Sequence, residues 1–254
     1  GLMPDKKSNM EEMRDSKGDL VGLFCEGEIG VVELPATKLF FTDPPYNIGV
    51  NYQNGSSDNL SKQDYHEMIG RVLEECYKAA DEDAHFFLLH YPSAIAEMWG
   101  LLTDKWDFRQ WISWVYPTNT GHSKRKWTTA HRAIVWLTKG EPKFNPRAVT
   151  QNFKNQNVKV VKEKVAQGVE GVALYDWWEI PQVKNISDEY EGYENQIPSE
   201  LIQRIVLCAS EPGDWVGDPF SGTFSTAKSA MGLGRPSWGF DINPEVRKFR
   251  PDQQ

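Results

Sequence analysis

Along the chain, short apolar runs are separated by stretches in which apolar positions recur every three or four residues. Leu20 to Phe24, Leu39 to Phe41, His85 to Leu89 and Ala133 to Leu137 are such runs, and Arg109 to Tyr116 alternates. Their length and lack of internal Pro predict strands, several buried on both faces. Tyr65, Met68, Ile69, Val72, Leu73, Cys76 and Tyr77 share one face of a helix over Tyr65 to Ala79, with Ser61 placed to cap it. Ser93 to Leu102 predicts a second helix. Pro198 to Ala209 predicts a third, with Pro at its start and Glu211-Pro212-Gly213 after its end. Asp214 to Gly217 then reads as a strand, about Thr226 to Met231 as a helix, and the stretch ending at Asp241 as another strand. Strands separated by helices predict an α/β fold, its sheet mostly parallel and covered on both faces.

Three segments break the pattern. Residues 1–19 are polar and charged and are expected to be flexible. Residues 47–57 are polar and contain glycine, which suits a loop that closes over a ligand. From 139 to 190 the periodicity weakens and Asn, Gln and Lys predominate, so an inserted region built for contact is expected there. It would divide one catalytic domain into residues 20–138 and 191–254.

A length of 254 residues accommodates this plan. Cys25, Cys76 and Cys208 lie far apart and form no metal spacing, so reduced thiols and no metal site are expected. The chain has no run of eighteen apolar residues, and its first twenty lack the apolar core of a signal peptide. A cytoplasmic protein without membrane spans is the expectation. The net charge of −8 argues against nucleic acid until its distribution is considered. His122 to Val165 carries eleven Lys or Arg and two acids; the other residues carry 17 bases and 34 acids. A solvated face would mix both signs, whereas a basic block in an acidic chain suits a phosphate-binding surface.

Two stretches carry candidate chemistry. Leu39-Phe40-Phe41-Thr42-Asp43-Pro44-Pro45-Tyr46 is an apolar strand stopped by an acid, two prolines and a tyrosine. The prolines stiffen the backbone just past the strand end, where ligands bind in open α/β sheets. A carboxylate at Asp43 and a carbonyl at Pro44 suit the two hydrogens of an exocyclic amino group, and Tyr46 suits the ring face. An Asp-Pro-Pro turn after an edge strand would use the same residues. The second stretch runs from Asp218-Pro219-Phe220-Ser221-Gly222 through a helix to Asp241. Strand, glycine turn, helix and a later acid at a strand tip outline a nucleoside site. It lacks the three-glycine pyrophosphate fingerprint, which argues against NAD.

Together these motifs resemble the amino-group DNA methyltransferases that use S-adenosylmethionine (AdoMet). The signature Asp-Pro-Pro-Tyr stands at Asp43 to Tyr46, and Asp218 to Thr226 is similar to the cofactor signature. Asn195-Gln196-Ile197-Pro198, with Leu201 and Arg204, resembles the segment preceding it, and Ser123-Lys124-Arg125 with Thr129-Ala130-His131 the motif before the recognition region. The order, catalytic motif first and cofactor motif last, resembles the circularly permuted β group. Phe224 stands where the family has a second glycine, Ile197 where Lys is frequent, and Arg132 where Glu often follows His.

The resemblance implies a Rossmann-like fold and AdoMet as methyl donor. It implies base flipping, with Asp43 and the Pro44 carbonyl accepting the amino hydrogens, Pro45 stiffening the loop and Tyr46 stacking on the base. Asp218, Pro219, Phe220 and Gly222 would form the cofactor turn and Asp241 would take ribose hydroxyls. Glu28 is either a contact to the cofactor adenine or a plain surface acid. Ser123, Lys124, Arg125, Lys126 and Arg132 would bind phosphates of double-stranded DNA, with residues 139–190 recognising the target. Asp at 43 leans towards adenine N6. Cytosine N4, adenine in RNA, and a DNA-binding subunit without catalysis are the alternatives. The resemblance also allows a homodimer, in a bacterial or phage restriction-modification setting.

Overall fold

The structure, a computed structural model, describes residues 10–30, 32–46, 60–118, 121, 123–169, 171–183 and 196–241. The expectation of a closing loop at 47–57 lies outside them, as do residues 1–9 and Asn195. In chain order the elements are β1 (Met10–Arg14), β2 (Leu20–Glu26), β3 (Thr37–Thr42), α1 (Lys62–Ala79), β4 (Ala80–His90), α2 (Pro92–Glu97), α3 (Trp99–Leu102), β5 (Asp107–Val115) and β6 (His131–Lys139). After these come β7 (Thr150–Gln151), α4 (Lys159–Ala166), β8 (Val172–Ala173), β9 (Trp177–Glu179), α5 (Ser199–Ala209), β10 (Val216–Asp218), α6 (Ser225–Gly232) and β11 (Ser237–Asp241).

Nine strands form one sheet in the order β1-β2-β11-β10-β3-β4-β6-β5-β9. The five strands from β2 to β4 are mutually parallel. β6 runs antiparallel to both β4 and β5. Its apolar run looks like those of its parallel neighbours, so the pattern alone does not give its direction. Side chains alternate across the sheet. Phe40, Phe86 and Leu88 point to the face covered by α1, α2 and α3. Leu39, Phe41, Phe87 and Leu89 point to the face covered by α5. On the first face the Phe40 ring lies 5.5 Å from Phe86 and 5.8 Å from Trp238. Ser61 caps α1, its hydroxyl accepting from the Asp64 N–H at 3.1 Å. The helix expected over Ser93 to Leu102 is broken at the buried Met98 into α2 and α3.

Two expectations change. Residues 10–14, expected within a flexible segment, form edge strand β1, antiparallel to β2. Met13 alternates inward and packs with Phe24, Phe224 and Ala227, which holds the strand in place. Residues 139–190 were expected as a separate insertion, but β9 pairs with β5 in the main sheet. Trp178 and Ile180 are buried there, and the Trp114 indole N–H donates to the Ile180 carbonyl at 2.8 Å. The part that stands away from the sheet is the β7–β8 ribbon and α4, a helix with no buried residue.

Phe224, at the position of the family's second glycine, has φ 60°, the one non-glycine with positive φ among the described residues. Glycine reaches that left-handed conformation freely; another residue needs compensation. Here the ring is buried and meets Phe24 edge-on at 5.4 Å. Removing a buried Phe costs roughly 3–5 kcal/mol, and the left-handed strain roughly 1–2 kcal/mol. Phe224→Gly is therefore expected to destabilise the protein by about 1–4 kcal/mol in urea unfolding; a gain in stability would show that strain outweighs packing.

Candidate active site

The carboxyl ends of the five parallel strands lie along one edge of the sheet and set acids side by side. Asp241 ends β11 opposite Glu26 of β2, Asp218 ends β10, Asp43 follows β3 and His90 ends β4. Arg132 of antiparallel β6 lies one residue past the His90–Ala133 pair, at the same edge. From β3 the chain moves to β4 on one side, and from β10 to β11 on the other. The crevice between β3 and β10 is thus a topological switch point, where such folds bind ligands.

A hydrogen bond crosses that crevice. The Thr42 hydroxyl donates to Asp218 Oδ1 at 2.6 Å, and the same oxygen accepts the Phe220 N–H at 2.9 Å. The Asp218 carboxylate thereby shapes the turn that follows it, with Thr226 adding a further hydrogen bond. Burial pushes Asp218 up to about 8, while Thr42, Phe220 and Thr226 pull it down. Gly222 has φ 51° and its N–H donates to Asp241 Oδ2 at 2.9 Å. Phe220 and Gly222 remain partly exposed around this turn, and Pro219 is buried.

Asp43 is partly buried, and its Oδ1 is a buried acceptor with no hydrogen-bond partner among the described residues. The carboxylate also accepts from the Tyr46 hydroxyl. Burial pushes Asp43 up to about 7, and the Arg132 charge and the Tyr46 bond pull it down. Tyr46, expected as a stacking ring, is buried with His90 and Tyr91 each 4.9 Å from its centroid.

The loop is held from behind by residues that the motifs did not reveal. The Tyr91 N–H donates to His90 Nδ1 at 2.7 Å, so Nε2 carries the proton and donates to the Tyr65 hydroxyl at 2.8 Å. That hydroxyl donates in turn to the Pro45 carbonyl at 2.5 Å. Burial, with the Arg132 charge, lowers His90 to about 4, which keeps it neutral in this relay. The signal in the sequence was a polar Tyr on the apolar face of α1 and a His closing an apolar strand.

Other expected site residues lie elsewhere. Glu28 is exposed and faces Arg71 of α1 at 3.5 Å, which fits a surface acid; Glu26, two residues earlier, has a buried carboxylate oxygen at the strand end beside Asp241. Ser123, Lys124, Arg125 and Lys126 are exposed on the connection from β5 to β6, beside Trp127 at 95% exposure. Arg132, expected among the phosphate contacts, is instead 2% exposed and enclosed by aromatic rings, so it offers no surface to a phosphate. Ile197, where lysine is frequent, packs into the core under α5. Among the described residues no cluster of ligands could hold a metal ion, and no helix is long and apolar enough to cross a membrane.

The comparisons agree with this architecture. The N6/N4 methyltransferase family, described as DNA methylase, matches residues 37–249. The DNA adenine methyltransferase YhdJ of Escherichia coli strain K12 is 26% identical over 236 residues, 87% of this chain and 77% of that protein. The solved structure of the cytosine-N4-specific PvuII DNA methyltransferase matches with a TM-score of 0.71 at 15% identity, over 97% of this chain and 91% of that one. The M1.HpyAVI–SAM complex matches at 0.57 and 16% identity, over 85% and 87%.

Tyr65→Phe leaves the Pro45 carbonyl and the His90 N–H without their shared partner. It is expected to destabilise the protein by about 1–3 kcal/mol in urea unfolding, and an unchanged midpoint would exclude the relay. A switch-point crevice with a buried carboxylate on one bank and a glycine turn on the other, in a chain matched by the family over residues 37–249, identifies this protein as a member of the N6/N4 DNA methylase family, a DNA methyltransferase of the amino-group class.

Proposed function

We propose that this DNA methyltransferase moves the methyl group of AdoMet to the N6 amino group of adenine in double-stranded DNA. The observation that supports the reading most is Asp43 Oδ1, a buried acceptor without a partner among the described residues, on a strand end bonded to the glycine turn. Buried acceptors are ordinarily satisfied, and an exception at a switch-point crevice calls for an explanation, which a bound ligand would supply. An amino group fits, with one hydrogen to Oδ1 and the other to the Pro44 carbonyl. Inside a duplex that amino group is stacked and out of reach, so the base is flipped out.

The residues around the turn fit AdoMet. Gly222 has no side chain to hold a nucleoside off, and Phe220 offers a partly exposed ring. Asp241, with Glu26 beside it, would take ribose hydroxyls. Bound there, AdoMet supplies an electrophilic methyl group. The two acceptors orient the base nitrogen so that its lone pair faces the donor side of the crevice, and catalysis is mainly this positioning. Asp43, at about 7, is then placed to take the proton that the nitrogen releases near neutral pH. Lys124, Arg125 and Lys126 would bind the DNA backbone, and the β7–β8 ribbon and α4 would lie against the duplex for recognition.

The test is methyl transfer from labelled AdoMet to unmethylated genomic DNA, followed by nucleoside analysis. N6-methyladenine is expected. N4-methylcytosine would replace the base assignment, and no labelled nucleoside would refute the reading. For the DNA face, neutralising Lys124, Arg125 and Lys126 to Ala together is expected to flatten the salt dependence of DNA binding by about three in log–log slope. An unchanged slope would remove this loop from the interface.

A further inference from the structure

Arg132 is a guanidinium buried in a box of rings. Its Cζ lies 5.1 Å from the Tyr46 centroid, 5.3 Å from Tyr91, 5.2 Å from Trp114 and 5.6 Å from Tyr116. These rings come from the Asp43 loop, the end of β4, and the end of β5. The guanidinium donates from Nη1 to the Tyr46 hydroxyl at 3.0 Å, and that hydroxyl donates to the Asp43 carboxylate. A buried charge needs a counter-charge and a fixed geometry, and stacked rings together with a hydrogen bond supply the geometry. The counter-charge it meets is Asp43.

We propose that Arg132 is a positioning residue for methyl transfer, which holds the Tyr46 hydroxyl and sets its cation beside the Asp43 carboxylate that receives the amino group. The proposal rests on the function proposed above and adds a residue to it. Every titratable neighbour is consistent with a single cation at this place. His90, at the end of β4, is held neutral by burial, and the rings of Tyr91 and Tyr116 face the guanidinium. Tyr65 of α1 is engaged with Pro45 and His90. Tyr46 is pushed well above its ordinary value and donates rather than ionises. Asp218, the other buried carboxyl, is served by Thr42, Phe220 and Thr226. The Arg132 charge, together with the Tyr46 bond that it holds, lowers Asp43 against its burial. The fork geometry has a second use. While one arm of the guanidinium holds Tyr46, its hydroxyl stays directed at one Asp43 oxygen and leaves Oδ1 for the base.

The experiment is the pH profile of kcat for the wild type, Arg132→Gln and Arg132→Lys, with AdoMet heats recorded by calorimetry for each. The wild-type rate should rise with pH through about 7, since the ionised form of Asp43 is the one that accepts. In Arg132→Gln the acid limb should move up by about 1–3 pH units, so transfer at pH 7 falls about five-fold or more and recovers on the alkaline side, with AdoMet binding retained. Equal loss at every pH, with the limb unmoved, would mean that Arg132 is only packing. Arg132→Lys keeps the charge and loses the fork, so its limb should stay in place while kcat falls. A displaced limb or a wild-type kcat in this variant overturns the proposal even if Arg132→Gln does not fold. A wild type that transfers no methyl group would remove the proposed function and this role with it. An active wild type with unmoved limbs removes the role of Arg132 alone.

Discussion

The Thr42–Asp218 hydrogen bond is the contact on which the site depends, because it joins two strand ends whose chains leave in opposite directions. On one bank are the stiff Asp43 loop and its supports; on the other are the glycine turn and Asp241. Register alone aligns the strand ends to within a residue or so. The hydroxyl at Thr42 fixes the remaining freedom by making the residue before Asp43 a partner of the glycine turn. Methyl transfer needs two ligands brought to near-contact distance, and in the proposed function a cross-strand bond at this place would make their separation a property of the sheet.

Placing two carboxyls at one buried edge has an electrostatic cost, and the structure meets it differently on each bank. Asp218 is surrounded by hydrogen-bond donors and serves the backbone. Asp43 receives one hydroxyl and a cation, and retains an acceptor atom. The first arrangement makes a structural acid and the second a receptive one. The ring box around Arg132 is then part of the same design, since it confines the cation that separates the two carboxyls in behaviour.

Local motifs were the legible part of the sequence. Asp43 to Tyr46 and Asp218 to Gly222 announce themselves because proline, glycine and acid fix the backbone within a few residues of the chemistry. Arg132 was misplaced because a charge in a basic block reads as exposed, whereas β6 carries it inward, where Trp114 and Tyr116 arrive from β5. The link from Tyr65 and His90 to Pro45 was hidden for a similar reason, since it joins residues from three elements. The pairing of β9 with β5 was also illegible, because a three-residue strand carries too little periodicity to declare itself. Phe224 was visible as a departure, but its meaning required Phe24 and the edge strand that covers it.

Holding the base and holding the methyl donor are separate tasks in this account, and one comparison separates them. AdoMet affinity by calorimetry and single-turnover transfer to DNA would be measured on wild type and Asp43→Ala. AdoMet binding is expected to stay close to wild type, because Asp43 lies outside the glycine turn, with transfer slowed at least ~10²-fold. Transfer at the wild-type rate, or loss of AdoMet binding in a folded variant, would contradict it.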